Sequence, residues 1–448
     1  MKYGLHFLAI AAIVAAVTYS LSHLVEKQPN IILISIDTLR ADHLSCYGYH
    51  RSTPNIDAFA KDSVQFNFAY SQAPWTTASH MSLFTSLYPS VHRVTHARLS
   101  EVQSTLVADL QNYGYQTAGF VSATAMSGKF GFKRGFDEYY NKEDEPTAEV
   151  NNERVFEWLD LRDKSKPLFL FLHYYDVHRP YDPKPPYNTL YCRRCDPGID
   201  TRIIGPYGKQ TRLTFQEIYD IVGLYDGEVR YMDDQVKELL DHLKARNLYD
   251  NSIIILLSDH GEGFFEHGLM DHGNSLYQEL MRVPLLIKFP HRENAGKKID
   301  ANVRIIDVMP TVFQYLKRKP AQFVQGVSLL PLLRMNATTS KPAFASGAVG
   351  SEMVSDGRWK LIHNNELEKR LESVPLALQS DFELYDLLND PKEHNNLAGI
   401  ETSVEQKLWD VLSSHRLLNE RLSNRIHTEH KPLDAEIEDQ LRSVGYIQ

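Results

Sequence analysis

ILISIDTLRADHLSCYGY, from Ile32 to Tyr49, opens apolar and turns polar at Asp37. With Asn30 and Ile31 it begins a continuous apolar run of strand length, the pattern of a strand buried on both faces of a parallel sheet. Four more such runs follow, at Gln116 to Ser122, Leu168 to Leu172, Ser252 to Leu257 and Val283 to Phe289. Between them, stretches such as Glu101 to Tyr113 and Phe215 to Arg246 repeat their apolar residues with a period near 3.6, as amphipathic helices do. The alternation predicts an α/β fold, a mostly parallel sheet flanked by helices. The first run leads into Asp37-Thr38, the third into Asp176 and His178, and the fourth into Asp259-His260. Open parallel sheets bind their ligands at the carboxyl ends of the strands, so these polar residues converge on one edge.

The chain has 448 residues, room for two to three units or for one large α/β domain with an appendage. Its 43% hydrophobic content, 24 Tyr and 20 Phe exclude a disordered chain. A net charge of −9 excludes a nucleic-acid partner held by a basic surface. An anionic substrate needs a local positive site, which a metal ion can supply. After about residue 340 the texture changes to short strand-like pieces at Met353-Val354, Arg358 to His363 and Phe382 to Leu387, then a helical stretch from Val404 to Leu422. The predicted organisation is a catalytic body over 27–340 and a smaller α+β subdomain over 341–448.

Residues 1–26 stand apart. Leu5 to Val25 is almost wholly apolar and just long enough to cross a bilayer, which takes ~20 residues. Only Lys2 precedes it as a cation and no clear A-x-A site follows, so an uncleaved anchor is preferred over a cleaved signal. Either places the body outside the cytosol, membrane-anchored or secreted. Cys192 and Cys195 form a C-x-x-C without a second pair, read as a local disulfide of an oxidising compartment and not a zinc knuckle. Cys46 is expected as a packed free thiol. Asn336-Ala337-Thr338 is a glycosylation triplet of the kind that arises by chance.

Asp37 at a strand end suits a metal ligand and a helix cap equally. In SDHGE, Ser258 to Glu262, a strand is followed at once by Asp259, His260 and Gly261. One oxygen and one nitrogen ligand side by side suit Zn or Mn better than Ca.

These motifs, with RVPL at Arg282 to Leu285, WKLI at Trp359 to Ile362 and LYDLLNDPKEHNNLA at Leu384 to Ala398, resemble the sulfatase family of the alkaline phosphatase superfamily over nearly the whole length beyond the first segment. The family's active-site signature is C-x-P-x-R or S-x-P-x-R, whose first residue becomes formylglycine. Here Thr76-Thr77-Ala78-Ser79-His80 stands in its place, followed by MSLFTSLYP. Threonine cannot become formylglycine and His80 replaces the Arg, so the chain is similar to the threonine-type members, among them phosphodiesterases and phosphoryl or phosphoglycerol transferases. The resemblance implies Thr76 as a nucleophile activated by a divalent metal at a helix N-terminus. The alternatives are that Thr76 merely caps the helix or that Thr77 is the nucleophile. It further implies one metal held by Asp37, Asp259, His260 and Thr76, with Zn or Mn favoured because Thr38 and His260 replace residues usual at a calcium site. His178 in YYDVHRPY is implied as a substrate-contacting and catalytic residue, and His272 in HGLMDHGNSLYQE as a proton donor to the leaving group. His80 and His267 complete the substrate side, with a structural role as the other reading of His267. Asp226 and Asp176 are candidates for a second metal.

The expected activity is hydrolysis or transfer of a phosphoric mono- or diester, small or carried on a glycan or lipid, through a covalent Thr76 intermediate. Phosphorus is preferred because a threonine sulfate lacks the exit that the formylglycine hemiacetal provides. The alternatives are a sulfatase working without formylglycine and an idle binding protein that kept the fold.

Overall fold

The computed structural model describes residues 28–94, 103–141, 147–192, 213–273, 275–334, 341–348, 350–364 and 380–425. The apolar segment 5–25, position 195 and the triplet at 336–338 lie outside them. Among the described residues no helix is long and apolar enough to cross a membrane. Cys192 is disulfide-bonded and Cys46 is free.

Strand β1 (Asn30–Ile36) is buried at every position. Its side chains alternate between two cores, Ile31 and Leu33 in one and Ile32, Ile34 and Ile36 in the other. That is why the run is apolar throughout instead of alternating. Around it lie β2 (Val64–Tyr70), β3 (Gln116–Val121), β4 (Glu138–Asn141), β5 (Leu168–Tyr174), β6 (Ser252–Leu257), the two-residue strands β7 (Gly263–Phe264) and β8 (Met270–Asp271), β9 (Arg282–Lys288) and β10 (Lys298–Arg304). All but the β7–β8 hairpin form one eight-stranded sheet, in the order β10-β2-β9-β6-β1-β5-β3-β4. Every pairing is parallel except those of β9, which runs against both β2 and β6. The sheet is thus mostly parallel with helices on its faces, as expected. The fully buried helix Thr76–Thr85 packs on one side and the long helix Phe215–Ala245 on the other. The long helix starts at a capping box in which Thr214 and Glu217 satisfy each other's backbone.

β1 lies between β5 and β6, with Ser35 opposite both His173 and Leu257. Asp37 and Asp259, just past the ends of β1 and β6, and His173, one residue before the end of β5, therefore lie side by side. Beyond residue 340, β11 (Ala343–Ser346), β12 (Glu352–Ser355), β13 (Trp359–His363) and β14 (Phe382–Asp386) make an antiparallel sheet in that order. The helix Thr402–Arg425 packs against β12 and β13.

Candidate active site

Asp37 leaves β1 with its N–H bonded to Tyr174 O at 2.9 Å, which fixes the carboxylate at the sheet edge. Thr38 then takes a left-handed φ of 55°, unfavourable for a β-branched residue by about 1–3 kcal/mol. Two buried contacts hold the turn: Thr38 N donates to Asp259 Oδ1 at 3.4 Å, and Tyr225 OH donates to Thr38 O at 2.9 Å. The strained turn thereby ties the end of β1 to the end of β6.

The next residue on β6's extension, His260, has its tautomer set by its neighbour. Nδ1 faces Gly261 O at 2.9 Å, and a carbonyl only accepts, so the proton sits on Nδ1. Nε2 is then a bare lone pair. It faces Asp259 Oδ2 at 3.3 Å, Thr76 Oγ1 at 3.4 Å and Asp37 Oδ1 at 3.6 Å, while Thr76 Oγ1 lies 3.4 Å from Asp37 Oδ2. Asp37 Oδ1 and Asp259 Oδ2 are buried without a hydrogen-bond partner. Burial also pushes the Asp37 carboxyl above its ordinary range. A lone pair and two carboxylates turned inward on one point form a set that could hold a cation. The spacings fit one: a tetrahedral ion with bonds of ~2.0–2.1 Å places its ligands about 3.4 Å apart.

Thr76 is the first residue of its helix and not its cap, a position held by Trp75. Its hydroxyl lies among the metal-ligand candidates. Thr77 turns away, with Oγ1 donating to Ala125 O at 3.0 Å. Ser79 Oγ donates to Asp259 O at 2.7 Å and anchors the helix to the loop it faces.

Comparison with known proteins agrees with this architecture. The sulfatase family model matches residues 29–317. The chain belongs to the sulfatase family. An N-acetylglucosamine-6-O-sulfatase of Bacteroides thetaiotaomicron is 23% identical, over 83% of this chain and 83% of its own. A protein solved in complex with its substrate D-glucosamine-2-N,6-O-disulfate superposes with a TM-score of 0.76 at 20% identity, covering 88% of this chain and 99% of that one. A phosphonate monoester hydrolase of Agrobacterium radiobacter superposes with a TM-score of 0.73 at 21% identity, covering 88% and 96%. This sulfatase-family chain is an ester hydrolase of the superfamily, and the family typically works with a divalent metal.

Beside the carboxylates of this sulfatase-family site lies a ring of histidines. His272 Nδ1 is 2.8 Å from Asp271 Oδ1 and 3.0 Å from Glu262 Oε1. Burial opposes its charge, but the two carboxylates outweigh burial and hold the imidazolium well above the ordinary histidine range. Its ring lies 4.5 Å from His260 and 4.9 Å from His178, centroid to centroid. His178 is buried, stacks on Tyr175 at 4.2 Å and directs Nδ1 to Arg179 O at 2.6 Å. Burial holds it well below the ordinary range, so it is neutral. Arg179 Nε meets Asp271 Oδ2 at 2.5 Å and encloses the cluster.

Two histidines assigned to the substrate side lie elsewhere. His80 is fully buried beneath the helix, with Nδ1 donating to Thr76 O at 3.0 Å and Nε2 taking the Ser35 hydroxyl at 2.8 Å. With both nitrogens engaged, the ring has no free polar atom to offer a substrate. His267 points to the loop after β14, with Nδ1 on Glu279 Oε1 at 2.7 Å and Nε2 on Glu393 O at 3.1 Å. The second-metal candidates are also engaged apart from the site. Asp226 is buried among His43, Tyr49 and Arg51, and Asp176 Oδ1 accepts Ala148 N at 3.1 Å.

His173, Glu262, Asp271 and Arg179 were not anticipated. His173 is fully buried on β5, with Nε2 3.2 Å from Asp37 Oδ2 and neither ring nitrogen in a hydrogen bond. A histidine inside an apolar strand, one residue before its end, was the signal available.

Proposed function

We propose that Thr76 attacks an anionic ester in line, taking its sulfuryl or phosphoryl group, with sulfuric esters of sugars as the leading substrate class. The observation that carries this reading is the Thr76 hydroxyl, at a helix N-terminus, 3.4 Å from both Asp37 Oδ2 and His260 Nε2. Asp37, Asp259 and His260 would hold the metal with Thr76 beside them, and the nitrogen ligand favours Zn or Mn over Ca. Such an ion lowers the pKa of a hydroxyl and offsets charge on the group being transferred. His272, held protonated by Asp271 and Glu262, serves better as a fixed cation toward the anionic ester than as a proton donor, because so weak an acid gives up its proton reluctantly. The neutral ring of His178 is the group suited to move a proton. As a base it can take a proton from the water that cleaves the Thr76 ester, while the departing alkoxide takes its proton from solvent.

The names of the relatives shift the weight from the phosphoric esters that threonine chemistry favours to sulfuric ones. A phosphoric or phosphonic ester remains the second reading, supported by Thr76 itself and by the likeness to the phosphonate monoester hydrolase. On the apolar run from Leu5 to Val25 alone, we assign the body to the outer face of a membrane.

Rapid acid quench during turnover of an aryl sulfate, and separately of an aryl phosphate, tests the mechanism. Mass spectrometry of the peptide from Ala73 to Arg93 should find the transferred group on Thr76, and the ester that labels faster identifies the substrate class. Turnover with an unlabelled Thr76 would replace the covalent step by direct attack of water.

A further inference from the structure

The catalytic body meets the C-terminal sheet in a buried polar seam centred on Glu393. This residue lies in the loop after β14, is 1% exposed, and adopts a left-handed φ of 55°. Its Oε1 pairs with Lys360 Nζ on β13 at 2.7 Å, both side chains having no exposed surface. Its Oε2 accepts Gln278 N at 2.6 Å, and its carbonyl accepts His267 Nε2 at 3.1 Å. His267 carries the contact onward, stacked on Tyr277 at 3.7 Å and bonded to Glu279 Oε1 at 2.7 Å. The segment Tyr277–Met281 is thus held by Glu393 directly at Gln278 and, through His267, at Tyr277 and Glu279.

The same segment forms the wall behind the metal-ligand loop. Gly261 N donates to Leu280 O at 2.8 Å, and a Cβ at position 261 would lie 1.9 Å from Glu279 O. Gly261 O receives the Nδ1 proton of His260 at 2.9 Å. That bond leaves Nε2 as the lone pair facing Asp37, Asp259 and Thr76.

We infer that Glu393 is a positioning residue for the metal centre, setting the orientation of His260 through segment 277–281 and Gly261. The inference rests on the reading of His260 as a metal ligand. Lys360 is its necessary counter-ion, since a carboxylate this deep is costly when unpaired. Outer partners of a ligating histidine typically govern about 10- to 100-fold of metal affinity.

The test uses the full chain and Zn²⁺, with dissociation constants from competition against a chromophoric chelator and thermal unfolding of the metal-free protein in parallel. Glu393→Gln combined with Lys360→Met removes the charge and its partner together. This double variant should unfold cooperatively yet bind Zn²⁺ about 10- to 100-fold more weakly. Glu393→Asp should recover part of the loss, which mere destabilisation does not predict. Should the double variant fail to fold, His267→Leu removes the second link between Glu393 and the segment while sparing the Lys360–Glu393 pair and the Gln278 contact, and a smaller loss in the same direction is expected. Wild-type affinity in a folded variant overturns the inference alone. Absence of divalent-ion binding by the wild-type chain overturns it together with the metal reading of His260.

Discussion

Thr76 and Thr77 differ by one position and by almost everything that matters for chemistry. The first points its hydroxyl at Asp37 and His260; the second spends its hydroxyl on a loop carbonyl. Thr76→Ala should therefore lose about three orders of magnitude or more in kcat against an aryl ester, the scale of a missing covalent nucleophile. Thr77→Ala should stay within a few-fold of wild type, and Thr76→Ser should keep part of the activity. Comparable losses in both alanine variants would mean that the helix terminus and not one hydroxyl carries the reaction. The convergence of Asp37, Asp259 and His260 was legible because each follows an apolar run that ends in a turn, whereas Thr76 was placed with them only by its position in the family's signature. The depth of His80 and the direction of His267 were not. Motif position says which turn a side chain leaves, not which neighbour it faces.

At the scale of elements, strands buried on both faces announced themselves. β1, β3, β5, β6 and β9 all coincide with the apolar runs, whereas β2 (VQFNFAY) and β10 (KIDANVR) interleave polar residues and escaped the reading. The reversed direction of β9 was equally hidden, since direction is set by connections and partners, not by composition. The loop between β6 and β7 shows how tightly an element can constrain one residue. Gly261 has backbone against it where a side chain would begin. Gly261→Ala should cost about 1–3 kcal/mol, the range for overpacking a filled site, read as a lower midpoint in urea unfolding. A variant as stable as wild type would show that segment 277–281 yields freely, and that the wall behind His260 is soft.

On the scale of the whole molecule, two sheets share one seam, and a histidine in it bears charge by geometry. Both ring nitrogens of His267 face oxygens that only accept, the Glu279 carboxylate and the Glu393 carbonyl, so both must carry protons. Burial opposes that charge, but Glu279, with Glu393 behind it, raises the pKa above the ordinary value. Among the described residues, the other charged and titratable groups facing the seam include Lys360, already paired with Glu393, His394, whose ring lies 6.1 Å from His267, Glu383, which accepts the hydroxyls of Tyr277 and Tyr385, and Arg40, whose charge acts on Glu279. A folded pKa raised above the unfolded value of ~6.5 gives stability that is complete below that pH and is lost as pH rises through the folded value. The unfolding free energy of wild type minus that of His267→Leu should thus be largest near pH 6 and shrink toward alkaline pH. Taking the difference cancels the titration of His272 and the other groups the two proteins share. A gap that stays constant from pH 6 to 9, or widens, would mean that His267 is neutral in the folded chain. The seam would then rest on the Lys360–Glu393 pair and the Tyr277 stack without its help.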